Sequence, residues 1–390
     1  MKSVASVFSR VLLVTGLSLS AQGQARPEAA EGSIPAAAAA PLYSISFERK
    51  DAVAGIDASP AIKLPFECTS DGAVFVDMVP VGARLQPPLY APPPLLLVSV
   101  SPSRKAKTYP LDQATEQLYD VREIDHYASD SAIIFLIKAA SENKPTQQAY
   151  TKSDGTQGQF TKNTAERHTY IVVFTRDGEH KKTIEADVSF EIEQIGVFPS
   201  GAFLAFGYDE KDHSPKLAML KDDGTLMRPL ELGKRDAPES LFGTKNGIGE
   251  GPAVYITPAQ LVPEGHSIIV VQNKTAFPLL EVSEAGEIRA IHPALPKEMQ
   301  IEGLIASDQN LYARVTPADG GSIYELNAHD GTVLRRLTLA DGRAGSSVAC
   351  VHDGKFLSFE HGEGKLIPLV GAAGPAASAE KQSKAEPPSR

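Results

Sequence analysis

The sequence predicts an all-β fold: a six-bladed β-propeller in which each blade is a four-stranded antiparallel sheet. Three observations support this. A turn followed by a short apolar strand occurs six times, the last copies are evenly spaced, and a second strand–turn–strand motif follows several of them. Such self-similarity is typical of an array of equivalent supersecondary units. A seven-bladed ring and a pair of packed β-sheets are the alternative architectures.

The first motif is a tight turn that leads into an apolar run. Its six copies occupy residues 70–76, 129–137, 199–206, 263–271, 307–315 and 352–359. The last two spacings, Gly265 to Gln309 and Gln309 to Gly354, are 44 and 45 residues, which fits the roughly 40–50 residues of a propeller blade. The earlier spacings are longer, so the earlier units carry insertions.

The second motif joins two strand-like runs through a short turn that contains Gly. Its copies occupy residues 170–184, 216–232, 279–291 and 322–337. Asp-Gly or Ala-Gly between such runs indicates a β-hairpin, because Gly adopts positive φ without steric cost. Each unit is therefore predicted as strand A, turn, strand B, loop, strand C, turn and strand D. Residues 42–47 are expected to close the ring by pairing with the last blade.

The N-terminal residues have the pattern of a signal peptide. Lys2 and Arg10 supply positive charge, residues 11–21 are apolar, and small residues lead to Ala25. We therefore expect residues 1–25 to be a signal peptide and the protein to be secreted or periplasmic. No later stretch is long and apolar enough to span a membrane, so no integral membrane segment is expected after cleavage.

Two low-complexity segments flank the predicted propeller. Residues 26–41 are rich in Ala, Pro and Glu, and residues 371–390 lack the apolar side chains that offset the entropy of ordering. We predict a disordered linker and a disordered tail there, and the propeller over residues 42–370.

The charge composition argues against nucleic acid as a partner. The chain has 38 Lys and Arg against 48 Asp and Glu, a net charge of −10 with both signs interspersed. An acidic surface repels phosphate backbones and anionic membranes. An ordinary exported protein with an acidic surface accounts for the same composition.

Three long insertions are expected on one face of the propeller. Strand direction alternates, so the A–B and C–D turns share one face, and the B–C and D–A loops share the other. Residues 80–94, 139–168 and 233–252 all belong to the second class. Long loops on a rigid scaffold often carry function, although insertions are also tolerated there at small cost. The candidate binding residues on these loops are Arg84, Tyr90, Lys152, Arg167, Lys234 and Arg235.

One B–C loop concentrates side chains that could bind a metal ion. Asp209, Glu210, Asp212 and His213 lie within five residues of one another. Hard cations prefer several oxygen ligands, but the segment lacks the spacing and the Gly of a calcium loop. A solvated hairpin tip is the alternative and the favoured interpretation.

Other catalytic signatures are missing from the sequence. It contains no Gly-x-Ser-x-Gly nucleophile elbow and no His pair with helical metal spacing. The Gly-rich residues 243–251 do not stand between a strand and a helix, so they are not a phosphate-binding loop. We therefore lean against an enzyme and predict no cofactor, with a divalent cation as the alternative.

The two cysteines occupy equivalent positions in the first and last units. Cys68 and Cys350 each lie four residues before the turn Gly of their unit, Gly72 and Gly354. These units become neighbours if the ring closes, and an exported protein can form disulfides. Equivalent points on adjacent inner strands can also lie more than about 7 Å apart, too far for a bond. A disulfide and two buried thiols both remain open.

Units five and six resemble a known type of repeat. Residues 302–315, continued by SerIleTyrGluLeuAsnAlaHisAspGlyThrVal from Ser322, are similar to the repeat of six-bladed propellers of the NHL, gluconolactonase and TolB-like type. The resemblance implies an architecture and assigns no catalytic residue. Gluconolactonase-type enzymes hold a divalent metal near the channel axis, but the positions of those ligands cannot be matched in this sequence.

Two functional hypotheses follow from these observations. The first is an exported propeller that binds a protein, peptide or glycan through the face that carries the three insertions. The alternative is a metal-dependent lactonase- or lyase-like propeller enzyme. A purely structural role is the third and least supported interpretation.

Overall fold

The computed structural model describes residues 40–53, 58–60, 67–80, 96–103, 105–151, 154–209, 211, 214–231, 259–272, 279–296, 299–307, 310–316, 322–340, 348–362 and 365–375. Within these residues the regular structure is β-strand apart from one short helix. The predicted signal peptide and most of the linker 26–41 lie outside this range. No helix in the described part of the chain has the length and apolarity that crossing a membrane requires.

The first two sheets come from the N-terminal half of the chain. The first strand, β1 (Leu42–Arg49), joins strands from the other end of the chain. The first sheet contains β2 (Ala58–Pro60), β3 (Glu67–Cys68), β4 (Val74–Pro80), β5 (Leu96–Val100) and β6 (Ala106–Tyr109). After the helix α1 (Leu111–Ala114), the second sheet begins with β7 (Tyr119–Ala128) and β8 (Ile133–Ala140). A separate two-stranded hairpin of β9 (Pro145–Thr151) and β10 (Gln157–Asn163) follows, and β11 (His168–Phe174) and β12 (His180–Glu185) complete the second sheet.

The third and fourth sheets are regular four-stranded antiparallel meanders. The third contains β13 (Glu191–Val197), β14 (Phe203–Tyr208), β15 (Pro215–Leu220) and β16 (Leu226–Leu230). The fourth contains β17 (Ala259–Glu264), β18 (Ser267–Gln272), β19 (Leu279–Ser283) and β20 (Ile288–Ile291). Consecutive strands pair in both, as the sequence predicts.

The last sheet has eight strands because β1 bridges two groups of strands. One group is β21 (Gln300–Ser307), β22 (Asn310–Thr316), β23 (Ile323–Asn327) and β24 (Val333–Leu339); the other is β25 (Val348–His352), β26 (Lys355–Gly362) and β27 (Lys365–Pro375). β1 pairs antiparallel with β27, from Tyr43 opposite Pro375 to Arg49 opposite Leu369, and parallel with β24. The expected pairing of residues 42–47 with the last strands is therefore present.

The strand β27 extends five residues beyond the predicted end of the propeller, Val370. β27 continues to Pro375, so residues 371–375 are strand rather than tail. Their backbone groups pair with β1 on one side, and those of Gly371 and Ala372 also pair with β26 on the other. Pairing with two neighbours orders a segment whose small side chains contribute little burial of their own.

The four-stranded antiparallel sheets give the molecule a β-propeller-like arrangement. Six strands of the molecule each contact two others of this set. These contacts form the closed cycle β3, β7, β13, β17, β21, β25 and back to β3, and we call these six strands the inner strands. Apolar side chains fill the spaces between neighbouring sheets. Tyr127, Ile195, Leu204 and Ile268, for example, belong to one buried cluster that joins the second, third and fourth sheets.

Four of the inner strands have a β-bulge where they pair with the next strand of their sheet. The pairing of inner strand with neighbour skips Ile124 in β7, Glu193 in β13, Glu302 in β21 and Ala349 in β25. A bulge inserts one residue into one strand, so it reverses the face to which the following side chains point. These bulges therefore alter which side chains face a neighbouring sheet.

Three turns with the sequence Asp-Gly-Thr share one set of hydrogen bonds. In each, the Asp Oδ1 atom accepts from the Thr backbone N–H at 2.9 Å and from the Thr hydroxyl at 2.7 Å; the Asp residues are Asp154, Asp223 and Asp330. The intervening Gly has φ of 83°, 87° and 74° respectively. Most other residues are strained at such angles, which explains the recurrence of Gly at these turns.

Cys68 and Cys350 are joined as a disulfide in this structure. Their Cα atoms are 5.5 Å apart, within the range that a disulfide spans without backbone movement. The bond links β3 to β25, which are neighbours in the cycle of inner strands.

Candidate functional site

Most of the residues predicted for the insertion face lie outside the described residues. These are the binding candidates Arg84, Tyr90, Lys152, Lys234 and Arg235, and the metal candidates Glu210, Asp212 and His213. Of the three insertions, only residues 139–168 are largely described. Of the predicted binding residues, Arg167 alone lies within the described part of the chain.

Arg167 and Asp209 are the predicted site residues that the structure describes. The Arg167 guanidinium donates to Asp120 Oδ2 at 3.2 Å, near the start of β7. Asp120 has a φ of 51°, in the left-handed region that non-Gly residues seldom adopt. Asp209 Oδ1 accepts from the backbone N–H of Lys211 at 2.9 Å, and its Oδ2 lies 3.7 Å from Lys216 Nζ. The contacts of Asp209 in the structure are therefore with nearby residues of the same hairpin.

The insertion at residues 139–168 is a β-hairpin rather than an irregular loop. β9 and β10 pair in register from Pro145 opposite Asn163 to Thr151 opposite Gln157. Asn163 fixes the base of this hairpin: its Oδ1 accepts from the backbone N–H of Lys144 at 2.8 Å, and its Nδ2 donates to the carbonyl of Glu142 at 2.9 Å. The hairpin is therefore an ordered projection on the B–C side of the second sheet.

One side of this hairpin presents two aromatic rings. Tyr150 lies directly opposite Gly158, and a Cβ at Gly158 would overlap the Tyr150 ring. Phe160 packs edge-on against Tyr150, with ring centroids 5.9 Å apart. Both rings are half-buried, and Gln148 and Lys162 share their side of the hairpin. The surface thus combines ring faces with amide and ammonium groups.

A buried cluster of three ionisable side chains lies between the first and second sheets. It consists of Asp77 on β4, and Glu123 and His126 on β7, whose donor atoms all lie within 4.8 Å of one another. The side chains of Asp77 and His126 are 1% and 8% exposed. His126 Nδ1 lies 3.3 Å from Glu123 Oε1 and 3.6 Å from Asp77 Oδ1.

The bulge in β7 brings the side chains of this buried cluster together. In a regular strand Glu123 and His126 would face opposite sides of the sheet, because they are three residues apart. The pairing of β7 with β8 skips Ile124, so Glu123 and His126 point to the same side, toward Asp77. Sequence spacing alone therefore could not reveal this set, since the bulge becomes visible only in the strand pairing.

Glu67 extends the cluster toward the centre of the inner strands. Its Oε2 atom accepts from the backbone N–H of Ala128 at 2.8 Å and lies 3.7 Å from His126 Nε2. Glu67 also lines a cavity of about 20 Å³, together with residues of β17 and β21 such as Gln260 and Leu304. This volume accommodates about one water molecule.

The residue types of the buried cluster are those that bind divalent metal ions or exchange protons. Imidazole nitrogen and carboxylate oxygen are both ligands of first-row divalent metals, and the same groups share protons as acid and base. The sequence offered one weak signal, an Asp within the apolar run of β4, where buried charge requires a partner.

A second polar cavity lies between the fourth sheet and β21–β24. Its volume is about 380 Å³, and Glu264, Glu281, Arg289, Asn310 and His329 are among its lining residues. Arg289 Nε donates to Glu281 Oε2 at 2.6 Å. Burial, reinforced by the charge of Glu281, raises the pKa of the Glu264 carboxyl above its ordinary value. The Glu264 carboxyl therefore ionises less readily than an exposed carboxyl does.

No protein-family model and no curated protein matches the chain. Among solved structures, it is similar to a neuraminidase-like protein from A/bat/Guatemala/164/2009, at 12% identity over 86% of this chain and 97% of that chain, with a TM-score of 0.35. It is also similar to a DUF4623 family protein from Bacteroides eggerthii, at 10% identity over 79% and 71% of the two chains, with a TM-score of 0.36.

A third similarity is to prolyl oligopeptidase B from Galerina marginata, at 10% identity and a TM-score of 0.35. It covers 78% of this chain and 47% of that chain, so this chain spans about half the length of the peptidase. At these identities and TM-scores the three similarities carry no inference about activity or ligand.

Proposed function

We propose that the protein is an exported six-bladed β-propeller that binds a protein, peptide or glycan through its B–C and D–A loop face. The count of six blades is supported by the cycle of six inner strands. Dividing the eight-stranded sheet at the parallel β1–β24 pairing leaves β21–β24 as one blade. β25, β26 and β27 then form the other blade, with β1 as its fourth strand. Export is proposed from the N-terminal sequence pattern.

The observation that carries the binding proposal is the β9–β10 hairpin. It is polar, mostly exposed and ordered by side-chain hydrogen bonds at its base, and it projects from the B–C connection of the second sheet. A preorganised element loses less conformational entropy on binding than a flexible loop does. The Tyr150 and Phe160 rings, flanked by Gln148 and Lys162, offer the aromatic and polar groups typical of peptide and glycan recognition.

The test compares the full protein with a variant in which a short Gly-Ser linker replaces residues 142–164. Both are labelled and screened against a glycan array and a displayed random-peptide library. We expect ligands of the parent protein to lose at least tenfold in affinity for the variant. The variant should keep the far-UV spectrum and the unfolding midpoint of the parent, because the hairpin forms a sheet of its own.

A matched control changes the side of the hairpin that faces away from the rings. Gln147→Ala with Thr161→Ala removes one exposed side-chain hydrogen bond and keeps both rings. Binding should survive this change. Equal affinity of the parent and the hairpin-less variant would contradict the role of the hairpin, and no ligand in either library would contradict the binding proposal.

A second candidate function is metal-dependent catalysis of the lactonase or lyase class. The observation that favours it is the Asp77, Glu123 and His126 cluster, whose ligand types suit a divalent ion. Partner binding is preferred because the described residues show a projecting, preorganised element, whereas the cavity lined by Glu67 holds about one water-sized molecule.

A further inference from the structure

We propose that Asp77, Glu123 and His126 form a binding site for one divalent ion of the zinc type, between the first and second sheets. The proposal is independent of partner binding through the loop face. It rests on the separation of the donor atoms, their chemical identity, their burial and the orientation of the imidazole ring.

The separations between donor atoms match four-coordinate geometry. A metal about 2.0–2.2 Å from each tetrahedral ligand holds neighbouring donor atoms about 3.3–3.6 Å apart. The distances from His126 Nδ1 to Glu123 Oε1 and to Asp77 Oδ1 are 3.3 Å and 3.6 Å. An octahedral ion such as Mg²⁺, with bonds of about 2.0–2.1 Å, would hold adjacent donors about 3.0 Å apart. The two separations measured from His126 Nδ1 therefore fit a tetrahedral ion, and the third pair, Asp77 with Glu123, lies within 4.8 Å.

The donor set also selects the metal. Imidazole nitrogen is a ligand for zinc and its neighbours, whereas magnesium and calcium prefer oxygen donors alone. One imidazole and two carboxylates are three protein ligands, the number typical of zinc sites whose fourth position holds water or substrate. A mixed nitrogen and oxygen set with tetrahedral separations indicates Zn²⁺.

Burial strengthens the attraction between a cation and these carboxylates. Asp77 and His126 are almost completely buried, and Glu123 is mostly buried. Placing two carboxylates together in a medium of low dielectric constant is costly unless positive charge joins them. A divalent ion balances both charges at once, and His126 then remains neutral with Nδ1 as the ligand atom.

The orientation of the His126 ring is a separate observation that points to a metal. Nδ1 faces the two carboxylates, and Nε2 faces the Glu67 carboxylate at 3.7 Å. Metal-binding histidines commonly direct their second ring nitrogen to a carboxylate, which fixes the tautomer. Glu67 is itself held by the backbone N–H of Ala128. At 3.7 Å the Glu67 carboxylate acts on the imidazole through its charge rather than through a hydrogen bond, and we assign it as a positioning residue on that basis.

The experiment uses the full protein, stripped with a chelator and then titrated with Zn²⁺ or Co²⁺. We expect about one ion per chain by calorimetry and by elemental analysis after dialysis. Co²⁺ should give the intense visible absorption of a four-coordinate ion. Asp77→Asn and Glu123→Gln should abolish stoichiometric binding and the Co²⁺ spectrum. Glu67→Gln should weaken Zn²⁺ affinity by roughly 10–100-fold and retain the four-coordinate spectrum.

Two control variants remove the same functional groups elsewhere. Glu142→Gln changes an exposed carboxylate paired with Lys144, and His266→Ala removes an imidazole that is 84% exposed. Both should bind Zn²⁺ like the parent. Absence of stoichiometric Zn²⁺ binding by the parent, or equal binding by Asp77→Asn and Glu123→Gln, would overturn the proposal. If a variant fails to fold without metal, the stoichiometry and Co²⁺ spectrum of the parent decide alone.

Discussion

At the scale of single residues, the positions with unusual chemistry are carboxyl groups held near other carboxyl groups. Asp77 and Glu123 are buried beside His126, and Glu264 shares a cavity with Glu281. Asp77 and Glu123 come from two different sheets, whereas Glu264 and Glu281 lie on β17 and β19 of one sheet. Such juxtaposition costs free energy unless protons, metal ions or ligands compensate the charge.

Glu264 gives a prediction about pH. Burial and the charge of Glu281 raise its pKa in the folded protein, so folding disfavours the ionised form. The protein therefore loses stability as the pH rises through this raised pKa, and Glu264→Gln should be more stable than the parent at neutral pH. The difference should vanish below the ordinary carboxyl pKa, where both states of the parent are protonated. Urea unfolding of both proteins across the acidic to neutral range measures this.

Glu142→Gln is the control for this pH experiment. A hydrogen bond from Lys144 lowers the pKa of Glu142, which is an exposed group. Its replacement should therefore produce no stabilisation at neutral pH. A Glu264→Gln variant whose stability tracks that of the parent at every pH would show that Glu264 ionises freely in the folded protein.

At the scale of elements, the sequence predicts turns far better than insertions. At an Asp-Gly turn, Gly adopts the positive φ that the turn needs, and the next residue, Thr, donates a hydrogen bond to the Asp. Both effects are local, so the turns at Asp223 and Asp330 can be predicted without knowledge of the fold. The β9–β10 hairpin escaped prediction because polar residues such as Gln147 and Thr161 hide the alternation that identifies a strand. The β-bulges could not be predicted either, because the residue left out of the pairing depends on the neighbouring strand.

Asn163 gives a prediction about the hairpin as an element. Asn163→Ala removes its hydrogen bonds to Lys144, Glu142 and Ala165. We expect faster amide exchange throughout β9 and β10, with unchanged exchange in β8 and β11, because the hairpin forms a sheet of its own. Hydrogen exchange read by mass spectrometry resolves these segments.

Gln147→Ala serves as the comparison for Asn163→Ala. It removes one hydrogen bond to Thr161 in the middle of the hairpin and leaves the base intact. Its effect on exchange should be smaller. Loss of protection that spreads into β8 and β11 would mean that the hairpin and the second sheet unfold together.

At the scale of the whole molecule, two features connect the first and last parts of the described fold. The disulfide joins Cys68 to Cys350, across 282 residues, and β1 lies between β24 and β27. The repeat positions of the two cysteines placed them in neighbouring units from sequence alone. The site formed by Asp77, Glu123 and His126 required knowledge of the sheet pairing, because its residues belong to no common repeat position.

The disulfide gives a prediction about global stability. In the chain-entropy model, a cross-link across so long a loop stabilises the folded state by up to about 5 kcal/mol. Cys68→Ser with Cys350→Ser should therefore lower the denaturant midpoint, and reductant should lower that of the parent to a similar value. Reductant should leave the double variant unchanged. Two alkylatable thiols in unreduced, denatured parent protein would contradict the bond.

The position of β1 has a consequence for the order in which the protein is made and folded. β1 leaves the ribosome hundreds of residues before β27, yet β27 is its antiparallel neighbour in the native sheet. Pairings between distant segments form slowly, because the intervening loop must close first. The chain therefore cannot complete the native pairing of β1 until β27 has been synthesised. In the export that we propose from the N-terminal sequence pattern, this delay keeps the chain unfolded and competent for transport.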